Sequence, residues 1–273
     1  MERNHRMELQ YDGTGLHGWA KQNGTPTVEG CLETALMTVL GSAPALRVAG
    51  RTDAGVHARR QVASLRLPAG IDVVGLTGSL NALTPPGIVV TRITRAPEAF
   101  DARKDARSRT YRYYMSTSPG VSPFWSRYCW QAPRGIDPAS LRAGAARVVG
   151  RHDFTAFTPT ETGHTFFNRL VLRCGWKRVR EGLATGRPGA VGMLYLEIEA
   201  DAFLRHMVRS LVGTMVEVAL GKRRPSDFER LLAGAPREAA GTTAPAHGLF
   251  LWDVRYRPTG LTRAASPTDE ERD

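Results

Sequence analysis

The sequence predicts an α+β fold in which helices cover one side of mixed sheets. Three observations carry that expectation. Apolar residues recur at spacing two in some segments and at spacing three to four in others. The two kinds of segment are interleaved, and the interleaving occurs in two successive halves. With 273 residues and 42% apolar content, the chain is long enough for one large or two modest domains with their own cores.

The elements follow in order. Met7, Leu9 and Tyr11 alternate as on a half-buried strand, whereas Val28, Leu32, Leu36 and Val39 fall at helical spacing behind Thr27, a good N-cap residue. Strand patterns return at Arg47 to Ala49, Ala63 to Leu67 and Ile88 to Ile93. The second half opens with a strand at Tyr111 to Met115. A helix follows with Pro138 in its first turn, running to about Val149, then strands at Leu170 to Val179 and Leu194 to Ala200. The Gly- and Pro-containing stretch Glu181 to Gly189 between these strands is expected to be a hairpin connection. A helix from about Ala202 to Leu220, a shorter one after Pro225 and a strand near Leu249 to Tyr256 complete the pattern. Domains are expected at residues 1–104 and 105–258. The tail 259–273, rich in Pro, Thr and charge, is expected to be disordered.

The formal charge is +11 with a pI near 10.2, and the last seven residues hold four acids and one arginine, so the preceding body is more basic still. That surplus suits a polyanionic partner, because each neutralised phosphate releases counterions. Cys31, Cys129 and Cys174 are odd in number and widely spaced, which argues against a disulfide framework. The seven histidines do not join them at ligand spacing, so no metal and no cofactor is expected. No secretory apolar core and no uncharged run of bilayer length is visible, and a cytoplasmic protein is the expectation.

The most informative string is Gly50-Arg51-Thr52-Asp53-Ala54-Gly55-Val56-His57-Ala58, which sets one carboxylate on a tight turn directly after the strand-like run Leu46 to Ala49. An isolated Asp-x-Gly is usually just a turn former. Arg51, two residues upstream, could hold that carboxylate ionised by a charge-assisted hydrogen bond, as a carboxylate nucleophile requires. Other blocks accompany it: Tyr11-Asp12-Gly13-Thr14-Gly15-Leu16-His17-Gly18-Trp19, Phe100-Asp101-Ala102-Arg103 with Tyr111-Arg112-Tyr113, Gly150-Arg151-His152-Asp153-Phe154, Phe203-Leu204-Arg205-His206-Met207-Val208-Arg209, and Ala244-Pro245-Ala246-His247-Gly248-Leu249.

These blocks, in this order over most of the chain, resemble the TruA-type tRNA pseudouridine synthases. The resemblance implies two ferredoxin-like subdomains with sheets joined edge to edge, a basic cleft, a homodimer and no cofactor. It also implies a substrate, the anticodon arm of tRNA at positions 38 to 40. Turning uridine into pseudouridine breaks the bond from C1′ to N1 and joins C1′ to C5 of the same uracil. A retaining glycosidase needs a second group to activate water, whereas such an isomerase needs only a nucleophile and a dry pocket. Asp53 as the sole motif carboxylate suits the isomerase, although Asp12, Asp101 or Asp153 could fold nearby.

By the same resemblance Tyr111 stacks on the target uracil, Arg209 approaches the catalytic carboxylate and Leu249 packs against the pocket. On pattern alone Tyr111 and Tyr113 could equally be core residues of a strand, Leu249 likewise. Arg205 and Arg209, four apart, are expected to share one face of the Ala202 to Leu220 helix. For phosphate contact the segment Arg103 to Arg112 carries five basic residues in ten, among them Arg103, Arg107 and Arg109. Arg59-Arg60 and Lys222-Arg223-Arg224 add further patches, the latter equally readable as a solvated face. The chain departs from the family pattern at Leu16, Ala20 and Asn168. Two rival functions remain: an RNA-binding protein or chaperone of the same fold without chemistry, and a relative acting on another RNA or a nucleotide.

Overall fold

A computed structural model describes residues 1–179 and 192–257. The expected hairpin turn at Glu181 to Gly189 and the expected disordered tail lie outside these residues. The fold class is α+β, with ten strands and five α-helices among the described residues. The chain divides into two compact units, the first comprising Met1–Arg109 and Phe250–Tyr256, the second lying within Thr110–Leu249.

In the first unit, strands β1 (Glu2–Tyr11), β3 (His57–Pro68), β4 (Ile88–Arg95) and β10 (Leu249–Tyr256) lie in the order β4-β1-β3-β10. β1 runs antiparallel to β3 and β4, β10 pairs parallel with β3, and the short β2 (Arg47–Val48) adds to β3. The alternation read at Met7, Leu9 and Tyr11 is the buried face of β1. Helix α1 (Val28–Leu40) starts where Thr27 accepts the Gly30 N–H and ends on Gly41 at φ 69°, whose N–H bonds the Met37 carbonyl. It buries Val28, Leu32 and Leu36, each worth roughly 2 kcal/mol of transfer free energy.

Helix α2 (Val73–Leu83), absent from the sequence reading, packs on α1 and β4. Gly75, Gly78 and two β-branched residues at its start give it poor intrinsic propensity. It forms because Asp72 caps it and Leu76 and Leu80, one turn apart, are buried. Tertiary burial here outweighs local preference.

In the second unit the strand order is β5-β9-β8-β7, with β6 (Trp130–Gln131) parallel to β5. The ranges are β5 Ala106–Ser116, β7 Gly150–Asp153, β8 Asn168–Arg178 and β9 Met193–Ala200. The antiparallel pairing of β8 and β9 agrees with the expected hairpin. Helix α3 (Pro138–Arg147) begins as read, with Pro138 in its first turn and Asp137 accepting from the Ala139 and Ser140 N–H groups. It packs on β8 and on α4 (Met207–Ala219), and α5 (Pro225–Leu231) follows.

Helix α4 starts five residues later than the periodicity suggested. His206, its N-cap, sits at φ 61°, the only non-glycine residue at positive φ among the described residues. A left-handed residue cannot continue a right-handed helix, so Ala202 to His206 stays irregular. Arg205 and Arg209 therefore do not share a helical face.

Candidate active site

Asp53 opens a tight turn in which the Val56 N–H bonds the Asp53 carbonyl at 3.2 Å. The carboxylate residue is half-buried, between exposed Ala54 and buried Thr52. Thr52 is the anchor. Its Oγ1 lies 2.8 Å from the Tyr11 hydroxyl, and its carbonyl accepts the Trp19 N–H at 3.0 Å. Gln61, fully buried on β3, donates to both the Tyr11 oxygen (3.2 Å) and the Gly50 carbonyl (2.8 Å). The Gly55 N–H bonds the Leu16 carbonyl at 3.1 Å.

Two glycines let the Gly13 to Trp19 loop come this close. A Cβ on Gly13 would overlap the Val56 carbonyl oxygen, and one on Gly18, at φ 88°, would lie 2.6 Å from that of Thr52. Burial pushes the Tyr11 phenol up to about 12, against the opposing pull of its bonds to Thr52 and Gln61. It therefore stays protonated in this network at neutral pH.

Arg51, two residues before Asp53, is exposed. Of the other candidate carboxylates, Asp101 caps the turn that follows it, accepting from the Arg103 and Lys104 N–H groups at 2.8 and 3.1 Å and pairing with Arg47. Burial alone would raise its pKa, but these donors outweigh it and hold the carboxyl below the usual aspartate value. Asp153 is likewise a turn former, bonded to the Thr155 N–H and hydroxyl. Asp12 accepts the Thr14 N–H and lies 3.0 Å from His57 Nδ1.

The basic segment divides. Arg103 and Arg107 are exposed, as is Lys104. Arg109 is buried instead, and its guanidinium donates to the carbonyls of Ala49, Ala106 and Arg103 at 2.7–3.2 Å. Its place among phosphate contacts is corrected: these bonds tie β5 to the segment just before the Asp53 turn. Arg59 is exposed, lying over the Trp252 ring at 4.8 Å, whereas Arg60 is engaged by Glu8 and Asp253. In the Lys222 cluster, Arg223 pairs with Glu217 and Arg224 with Asp227.

In the second unit Tyr111 is buried on β5, edge-on to Phe203 with ring centroids 4.9 Å apart. Tyr113, on the same face, is a core residue with no exposure. Its hydroxyl donates to the Pro245 carbonyl at 2.9 Å, and burial raises its pKa. Arg205 is exposed. Arg209 is half-buried, donates from Nε to the Ala244 carbonyl at 2.8 Å and accepts the Ala244 N–H on its own carbonyl at 3.1 Å.

That reciprocal pair begins a seam the sequence did not reveal. Residues Gly241 to Ala244 lie along α4, bonded at each turn. Thr243 meets Ser210, Gly241 N–H meets Thr214 Oγ1, and Thr242 N–H meets Glu217 at 2.8 Å. A Cβ on Gly213 would overlap the Thr242 carbonyl oxygen. The strap continues through Pro245 to Gly248, which abuts the Tyr113 ring, and to Leu249, which is buried. The available signals were Gly213 inside an apolar helix and Gln61 at an inward strand position.

Among the described residues, no group of His, Cys, Asp and Glu could hold a metal ion, and no helix is long and apolar enough to cross a membrane.

A family model described as tRNA pseudouridine synthase matches residues 145–257. The chain is 38% identical to tRNA pseudouridine synthase A of Chlorobium chlorochromatii, over 92% of this chain and 98% of that one. It is 41% identical to the protein of that name from Frankia casuarinae, over 93% and 89%, and 36% identical to that from Bacillus pumilus, over 92% and 98%. Identity of this extent along nearly the whole of both chains makes this protein a member of the tRNA pseudouridine synthase A family.

Proposed function

We propose that this protein isomerises uridine to pseudouridine in the anticodon arm of tRNA, at positions 38 to 40, with Asp53 as the nucleophile. The observation that carries the reading is the turn holding Asp53. The half-buried residue is fixed by main-chain and neutral side-chain bonds on both flanks. Preorganisation of this kind is what a nucleophile needs to meet a sugar or base carbon at bonding distance. In the reaction the C1′–N1 bond breaks, the C1′–C5 bond forms, C5 loses its proton and N1 gains one, so no water or co-reactant is consumed.

Tyr111 is proposed to stack on the uracil, a contact typically worth about 1 to 3 kcal/mol per base. Its edge-on packing against Phe203 holds the ring in one orientation. Arg209, steered by Ala244, is proposed to face the carboxylate, and Leu249 to supply apolar wall. Arg51 is proposed to act from its exposed position in the bound complex. The exposed Arg59, Arg103, Arg107 and Arg205 are proposed to contact phosphates. The homodimer and a cytoplasmic setting belong to the same proposal.

The test is pseudouridine formation on an unmodified tRNA transcript, mapped by position. Product confined to the anticodon arm supports the reading; product elsewhere moves the substrate assignment, and binding without product sinks the enzymatic one.

A further inference from the structure

His57 stands four residues after Asp53 and has no role in the chemistry above. It is 1% exposed, and its ring stacks on Phe250 with centroids 4.6 Å apart and planes 25° from parallel. The Gly13 N–H points at its Nδ1 from 3.0 Å. As acceptor of that bond Nδ1 carries a lone pair, and the neutral ring then bears its proton on Nε2.

The Gly13 bond is the first link of a closed circuit. The Gly13 carbonyl accepts the Leu16 N–H at 3.0 Å, the Leu16 carbonyl accepts the Gly55 N–H at 3.1 Å, and the chain from Gly55 returns through Val56 to His57. The Val56 N–H closes the Asp53 turn. Gly13 has no room for a side chain, since a Cβ there would overlap the Val56 carbonyl oxygen. The same Nδ1 lies 3.0 Å from Asp12 Oδ1. A proton placed there would be donated to Asp12, and the Gly13 N–H would lose its acceptor.

We infer that His57 is a positioning residue for Asp53, acting as a neutral hydrogen-bond acceptor that locks the Gly13 to Leu16 loop beneath the Asp53 turn. The inference rests on the reading of Asp53 as nucleophile. Loss of the acceptor leaves a buried N–H unpaired and frees the turn to shift by a fraction of an ångström, which changes the reaction geometry more than the RNA-binding surface.

The test combines three His57 variants with a measurement on the unaltered protein. His57→Leu removes the acceptor at similar volume, His57→Asn restores an acceptor near the Nδ1 position, and His57→Gln places one near Nε2 instead. Expected for His57→Leu is a kcat lower by on the order of 10- to 100-fold, with KM for a tRNA transcript within about twofold of wild type. His57→Asn should recover most of the rate and His57→Gln should not. Equal rates in all three, or a change in KM alone, would overturn the inference.

Should the variants fail to fold, nitrogen-15 histidine NMR on the wild type decides: the inference requires an unprotonated Nδ1 and a protonated Nε2 at neutral pH. A proton on Nδ1 would refute it. Asp53→Asn is assayed alongside. If that variant turns over like wild type, the nucleophile reading fails. If it is inactive while His57→Leu matches wild type, only the positioning role fails.

Discussion

Asp53 and Arg209 are each held by a short irregular segment laid against the element that carries them, but the two grips differ in kind. The Asp53 turn is held largely through main-chain bonds from the Gly13 to Trp19 loop and through neutral side chains, Tyr11, Thr52 and Gln61. The Arg209 helix is held by the Gly241 to Ala244 strap through hydroxyls and a carboxylate, Ser210, Thr214 and Glu217. Both depend on glycines that allow near-contact of backbones, Gly13 and Gly18 in one case and Gly213 in the other. Close backbone approach sets the geometry in both units, and the strap adds a carboxylate anchor, Glu217, on the helix itself.

The largest effect is expected where the approach is tightest. Gly213→Ala would drive a methyl group into the Thr242 carbonyl and should cost about 3 kcal/mol in urea unfolding, since neither backbone can yield easily. Gly18→Ala should cost about 2 kcal/mol, combining left-handed strain with a clash at Thr52. It should also lower kcat, because the displaced carbonyl belongs to the residue before Asp53. A fully active Gly18→Ala would show that the loop does not set the geometry of the turn.

Next come the arginines of the basic segment. Arg109→Ala should destabilise the fold by about 2 kcal/mol, because it leaves buried carbonyls without donors. Arg107→Ala should leave stability unchanged and reduce the salt dependence of tRNA binding by about one counterion. If Arg109→Ala instead weakened RNA binding without loss of stability, the buried role assigned to it would be wrong. Thr52→Val, nearly isosteric, should cost about 1 kcal/mol through the lost bond to Tyr11.

The smallest effect concerns the strap's anchor. Burial tends to raise the Glu217 pKa, but the Thr242 N–H, Arg223 and the Thr242 hydroxyl outweigh it and hold the carboxyl below its ordinary value of 4.5. A depressed carboxylate pKa adds stability above the unfolded value and loses it as pH falls through the folded one. Stability should therefore decline below about pH 4.5, and Glu217→Gln should flatten that part of the curve. An unchanged acid limb in the variant would remove Glu217 from the account.

Much of this was legible because the signals were local. Thr27, Asp137 and Pro138 mark helix starts by their own chemistry, and the alternation in β1 needs only its own residues. The Asp53 turn was legible as a motif, and its surroundings were not, since Tyr11 and Gln61 reach Thr52 and Gly50 across strand pairings that no spacing reveals. Helix α2 leaves little trace in the sequence because its glycines mask a burial pattern set by tertiary contact. The start of α4 was misplaced because nothing in the residue type of His206 announces a positive φ. Arg109 read as a phosphate ligand because charge in a sequence carries no record of which carbonyls fold beside it.

The most direct test of the central claim is single-turnover pseudouridine formation by Asp53→Asn on an anticodon-arm substrate, with RNA affinity measured on the same preparation. The expected rate is lower by on the order of 10⁴-fold or more with affinity essentially retained, as for loss of a covalent nucleophile. A rate within about tenfold of wild type would contradict it and move the chemistry to another residue.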